Sequence, residues 1–119
     1  MLQHVSIEIP PAEKERALEF WRLLGFEPVP APGPIAEFVD WVERDGTQIH
    51  FIYTDAAVVP SLGHPAVVAP EFEATVESLD GAGFEVEEAD RLWGERRAFA
   101  IAPGGHRVEL MAAPPPPAG

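Results

Sequence analysis

Four side chains of this sequence could hold a metal ion: His4, His50, His64 and Glu109. His4 and His64 each open a predicted strand. His50 and Glu109 each stand four residues past a turn glycine, Gly46 and Gly105. Three imidazoles and a carboxylate form a nitrogen and oxygen donor set suited to zinc, nickel, cobalt, manganese or iron(II). An apolar setting favours that role, because burial disfavours the imidazolium and leaves a neutral ring able to coordinate. The competing expectation is four polar residues separately hydrogen-bonded in a small core, the ordinary state of a lone histidine between apolar neighbours. His106 stays outside the set. Three residues before Glu109 on the same strand, it faces the opposite side, and directly after a turn it is expected to meet solvent.

The elements that must position these residues occur twice. A strand at about 3–9 alternates His4, Ser6 and Glu8 with Val5, Ile7 and Ile9. Pro10-Pro11 ends it and suits a helix entry. The segment AEKERALEFWRLLG places Ala17, Phe20, Trp21 and Leu24 at helical spacing and closes on Gly25. An extended piece near 26–30, a Pro/Gly turn at 30–34 and a strand at about 36–43 follow. Asp45-Gly46 marks a hairpin into GTQIHFIY, the strand that holds His50. After a connector at 54–63 the order recurs: HPAVVAP, the helix EFEATVESLDGAG, then FEVEEA, RRAFAIA, the turn PGG and HRVELMA. Gly25-Phe26 matches Gly83-Phe84, Gly46 matches Gly105, His4 matches His64 and His50 matches Glu109. An internal repeat outweighs any single motif. The expected architecture is therefore α+β: one domain at 1–111, made of two tandem βαβββ modules (about 2–53 and 64–111) that form a curved mixed sheet. The segment 112–119, AAPPPPAG, reads as a flexible, polyproline-like tail.

Length and charge narrow the function classes. The 119 residues suffice for one domain with a real core. Twenty acidic against 8 basic residues give a net charge of −12, which repels phosphate backbones and anionic headgroups. Nucleic acid and membrane surfaces are not expected partners; a small molecule is. With no cysteine, disulfides, thiolate nucleophiles and cysteine metal sites are excluded. MLQHVSIEIP lacks the basic start and apolar run of a signal peptide, and no apolar run approaches spanning length. The default expectation is a cytoplasmic protein.

HVSIEIP, ALEFWRLLGFE, QIHF, GHPAVV and RRAFAIAPGGHRVEL together resemble the vicinal oxygen chelate superfamily over nearly the whole chain, about residues 2–111. That group includes glyoxalase I, methylmalonyl-CoA epimerase, extradiol dioxygenases, fosfomycin-modifying enzymes and bleomycin-resistance proteins. The resemblance implies the doubled βαβββ fold, a homodimer, a small-molecule substrate and a metal held by His4, His50, His64 and Glu109. Two positions depart from the pattern. Ala102 replaces the usual Asp of the turn before the last strand, and His50 stands where glyoxalase I usually has glutamate and the epimerases glutamine.

A divalent ion with open positions polarises a carbonyl and stabilises the enediolate left when the neighbouring carbon loses a proton. Glu109, the one carboxylate in the set, is the candidate base. The expected activity is thus a metal-dependent, glyoxalase-like isomerase or lyase reaction. The alternatives are a ring-cleaving dioxygenase using iron(II) and a non-catalytic drug-binding protein of the bleomycin-resistance type. Arg91, Arg96, Arg97 and Arg107 supply half of the 8 basic residues. Arg107 shares the face of Glu109, and one of Arg96 and Arg97 must share it across the hairpin. Arg107, Arg96 and Trp41 are the substrate-binding candidates, the arginines for a carboxylate or similar anionic handle. By repeat offset Trp41 corresponds to Ala100.

Overall fold

The computed structural model describes residues 1–118. The chain divides into two compact units, Met1–Val59 and Pro60–Gly119, with the boundary inside the expected connector. Each builds its own four-stranded mixed sheet, in an α+β arrangement of two βαβββ modules.

In the first unit, β1 (His4–Ile9) leads through a short 3-10 turn, Pro11–Glu13, into α1 (Lys14–Leu23). β2 (Glu27–Val29), β3 (Val39–Arg44) and β4 (Thr47–Tyr53) follow, in the sheet order β1-β4-β3-β2. β1 runs parallel to β4, with His4 opposite Gln48 and Ser6 opposite His50. The other neighbours are antiparallel, and Trp41 on β3 faces His50. Ala17, Phe20 and Trp21 of α1 are fully buried, as are Ile9, Val42 and Phe51 of the sheet. Trp21 is therefore core, as its helical spacing implies. Alternation along the strands sends His4, Ser6, His50 and Trp41 to the other face.

The second unit repeats the plan with β5 (Ala66–Val68), α2 (Phe72–Gly81), β6 (Val86–Ala89), β7 (Arg97–Ile101) and β8 (Arg107–Met111), in the order β5-β8-β7-β6. β5 is parallel to β8. Both helices end in the same way. Gly25, at φ +90°, donates to Arg22 O at 2.9 Å, and Phe26 N donates to Trp21 O at 2.9 Å. Gly83 and Phe84 make the matching pair of bonds to Asp80 O and Leu79 O, each at 3.0 Å. This termination satisfies two carbonyls at the helix end and needs a left-handed residue, which glycine provides. Phe26 and Phe84 then tuck into the cores, 4% and 6% exposed.

Several expectations need correction. The strand expected from 36 starts at Val39, because Gly33–Ile35 form a 3-10 turn around Pro34. HPAVVAP shortens to Ala66–Val68 between its two prolines, so His64 precedes β5 instead of opening it. His106 is only 4% exposed: its strand parity puts it with fully buried Val108 and Leu110, and that parity overrides its place after the turn. Two hydrogen bonds are made at the first residues of the Pro-rich segment. Ala112 N donates to Arg96 O, and Ala113 O accepts from Trp93 Nε1 at 3.0 Å. Gly119 lies outside the described residues. Among the described residues, no helix is long and apolar enough to cross a membrane.

Candidate functional site

The four expected ligands occur as two pairs, one in each unit, each pair flanking an aromatic ring on the third strand of its module. In the first unit the ring is Trp41. It stacks on His50 at 4.8 Å and 19°, and its centroid lies 4.6 Å from that of His4. The two imidazoles are 6.1 Å apart. His50 Nδ1 lies 3.4 Å from Ser6 Oγ, and His50 Nε2 is buried with no hydrogen-bond partner among the described residues. Trp41 Nε1 is in the same state. A buried polar atom without a partner costs of order 1–3 kcal/mol, so such an atom in a functional position calls for an explanation. Burial, then the nearby His4, push the His50 pKa down, which keeps its ring neutral. With Nδ1 beside the Ser6 hydroxyl, Nε2 is the nitrogen left to coordinate an ion.

In the second unit the ring is Phe99, opposite Glu109 in the β7–β8 register and 5.1 Å from His64, edge to face. His64 Nδ1 is 2.9 Å from the Leu62 carbonyl, and His64 Nε2 is 3.1 Å from Glu109 Oε1. A carbonyl only accepts, so Nδ1 must carry its proton. In a neutral ring the Nε2 lone pair then faces an ionised carboxylate. Two acceptors at that distance require a cation: a second proton on the ring, or a metal ion bound by both atoms. Arg97 donates through Nε to the other oxygen, Glu109 Oε2, at 2.9 Å. Its Nη1 donates to Asp90 O at 2.6 Å, and its guanidinium lies 5.4 Å from the Trp93 ring. Arg97 and Glu109 are both buried. Burial alone would raise the Glu109 pKa, but the hydrogen bonds and charges of Arg97 and His64 outweigh it and hold the carboxyl below its usual range.

Among the described residues, no group of three or more His, Asp or Glu side chains is close enough to hold a metal ion. Within each pair the chemistry nevertheless fits one. The first pair has a neutral imidazole with an orphaned nitrogen, and the second has an imidazole nitrogen facing a carboxylate oxygen, two atoms that a metal ion could bridge in place of a proton.

The other expected site residues are placed as follows. Trp41 lies against both histidines of its unit. Its counterpart is Phe99, not Ala100, because the turn between β7 and β8 is longer than the two-residue Asp45-Gly46 turn and shifts the register of the strand before it. Arg96 does not join Glu109: it pairs with Glu88 and lies over the Phe72 ring at 4.8 Å. Arg97, opposite Met111, is the arginine on the Glu109 face. Arg107 is on that face too, over the Phe99 ring at 4.1 Å. An open cleft of about 500 Å3 runs beside these residues, lined in part by Arg97, Phe99, Ile101 and Arg107. Phe99 is the residue that sequence reasoning missed, and Arg97 is the one of the two candidate arginines that it did not choose. The signal that could have found them is the strand register, which the length of the second turn controls.

No family model matches the sequence, and no curated protein matches it. Solved structures do resemble it. A glyoxalase family protein from Bacillus anthracis is 23% identical, with 93% of each chain covered and a TM-score of 0.82. The genomically encoded fosfomycin resistance protein FosX from Listeria monocytogenes is 19% identical over 96% of this chain and 91% of its own, with a TM-score of 0.76. A glyoxalase/dioxygenase from Nostoc punctiforme is 14% identical over 96% and 91%, with a TM-score of 0.77. At these identities the likeness establishes the fold: the chain has a glyoxalase-type fold.

Proposed function

We propose that the protein is a metal-dependent, glyoxalase-like enzyme that removes a proton from the carbon next to a carbonyl in a small oxygenated, carboxylate-bearing metabolite, an isomerase or lyase reaction. The ligands are His4, His50, His64 and Glu109, and the ion is zinc, nickel, cobalt, manganese or iron. The observation that carries this reading is His64 Nε2 facing Glu109 Oε1 at 3.1 Å while Nδ1 is committed to a carbonyl. The orphaned Nε2 of His50 supports it from the other unit.

The chemistry that a divalent ion held by these residues would supply is polarisation of a substrate carbonyl and stabilisation of the negative charge left when the neighbouring carbon loses its proton. The chain's own groups supply the rest. Glu109 is the base: with Oε2 engaged by Arg97, Oε1 would accept the proton once loosened from the metal. Arg97 keeps the carboxylate ionised, and so ready to accept, at the expense of basicity. Trp41 and Phe99 wall the ligands and exclude water, while Arg107 receives the anionic end of the substrate. We take a homodimer as the working assembly, as the resemblance implies, and sedimentation velocity tests it.

Proton exchange tests the reaction. Metal-loaded protein in deuterated water should wash the α-proton signal out of a 2-hydroxy or 2-oxo carbonyl compound, followed by NMR, and Glu109→Gln should abolish the exchange. A second reading, iron-dependent ring cleavage, draws on the fold shared with the Nostoc punctiforme glyoxalase/dioxygenase. Oxygen consumption with a catechol, in place of proton exchange, would favour it. Ligand binding with neither activity would favour a non-catalytic drug-binding protein of the bleomycin-resistance type.

A further inference from the structure

The cleft of the second unit carries more information than the two ligand pairs use. At about 500 Å3 it is within the range of small-molecule sites. Its lining includes Arg107, Phe99, Ile101, Glu85 and Glu87. The register shows how these lie. Ile101 pairs with Arg107 on β8, and Phe99 pairs with Glu87 on β6. Ile101 N also donates to Glu85 O at 3.0 Å. Cross-strand partners, and residues two apart on one strand, share a face. Phe99 and Ile101 therefore form an apolar floor, with carboxylates along the β6 side and a guanidinium on the β8 side. Two strand spacings, about 10 Å at the backbone, separate those sides.

The charges at this cleft are unequal in their commitments. Arg97 is engaged by Glu109 and by the Asp90 carbonyl, and Glu88 by Arg96. Arg107 has no carboxylate or carbonyl partner among the described residues; its contact is the Phe99 ring, which fixes the plane of the guanidinium and leaves its N–H donors unused. Glu85 and Glu87 likewise have no cationic partner among the described residues. A dianion would gain Arg107 but meet the carboxylates of Glu85, Glu87 and Asp90, and a simple cation would meet the reverse. A molecule with one charge of each sign satisfies both sides.

We propose that this cleft binds a small zwitterion, an amino carboxylate, with its carboxylate on Arg107, its ammonium toward Glu85 and Glu87, and its carbon chain on Phe99 and Ile101. The inference adds a substrate class to the proposed function, and rests on that reading for the fate of the ligand but not for its binding.

Calorimetric titration of the full-length, metal-free protein tests it. The probes are the ω-amino acids from glycine to 5-aminopentanoate, set against butanoate, butylammonium and succinate. One chain length should bind about tenfold or more tightly than each of the three comparison compounds. Arg107→Gln should abolish that binding, and Glu87→Gln should reduce it toward the level of butanoate. Thermal melts of both variants separate lost binding from lost folding. The proposal is overturned if no amino acid binds, if butanoate binds as tightly as the best of them, or if folded variants bind like the parent. Because no metal is present, such a failure leaves the metal proposal standing. A protein that binds the amino acid and never binds metal would break the metal proposal alone.

Discussion

The two units of this chain solve the same placement problem with opposite chemistry. In Met1–Val59 two imidazoles flank Trp41, neither is held by an ion pair, and His50 Nε2 has no partner. In Pro60–Gly119 the equivalent positions hold His64 and Glu109, and Glu109 is gripped on one side by His64 and on the other by buried Arg97. The difference follows from charge. A neutral imidazole tolerates an apolar wall at modest cost, whereas a buried carboxylate needs an opposite charge and hydrogen bonds. The first unit therefore keeps its donors by stacking and the second by an anchored salt bridge. Equivalent positions thus hold two imidazoles without an ion pair among the described residues in one unit and an ion-paired carboxylate in the other.

The sharpest way to break this comparison is to remove one donor from each unit. Glu109→Ala leaves the Arg97 guanidinium buried without its carboxylate, a change expected to cost about 3–5 kcal/mol of stability by urea unfolding of the metal-free protein. His50→Ala removes an atom that has no partner to lose, so its cost should be clearly smaller. Equal losses would contradict the distinction between the units.

A smaller effect probes the anchor itself. Arg97→Ala should weaken metal binding about 10–100-fold in a calorimetric titration, the usual range for a residue that orients a ligand, with Arg97→Lys recovering part of it. Gly25→Ala tests the fold instead of the site. The position has φ +90°, and an added Cβ would come 3.2 Å from Arg44 Cδ. A loss of about 1–2 kcal/mol is expected from the left-handed strain and the displaced side chain.

The mildest effects depend on pH and differ between the units. His50 has a lowered pKa, so the unfolded chain takes up its proton first as pH falls below the ordinary value of 6.5. Stability from this group is present above that pH and declines below it, down to the folded pKa. Glu109 also has a lowered pKa, so its stabilisation is present above the unfolded carboxylate value and is lost only as pH falls through the folded one. Melting curves of the metal-free protein should show two acid-side losses, the first flattened by His50→Asn and the second by Glu109→Gln.

Much of this was legible in the sequence because repeated punctuation survives divergence. The Gly25-Phe26 and Gly83-Phe84 helix ends and the glycines at 46 and 105 mark the two modules, and strand parity separates His50 from Ile49 and Glu109 from Val108. Register across the second hairpin was not legible. Its turn is longer than Asp45-Gly46, so an offset taken from the last strands leads to Ala100 where Phe99 stands, and leaves Arg96 and Arg97 undecided. For His106 two local signals conflict: strand parity puts it with buried Val108 and Leu110, its place after the turn points to solvent, and only the packed core decides for burial. Nor does sequence disclose that His64 points its Nε2 at Glu109, because the Leu62 carbonyl that fixes its tautomer belongs to a loop.

We propose that His4 and His50 of the first unit and His64 and Glu109 of the second are metal ligands. Metal content of the full-length protein, by mass spectrometry after incubation with each candidate ion, tests it most directly beside His50→Ala and Glu109→Gln. About one transition ion per chain in the parent, lost from either variant, is the predicted result. No bound metal in the parent, or full occupancy in a variant of either unit, would contradict it.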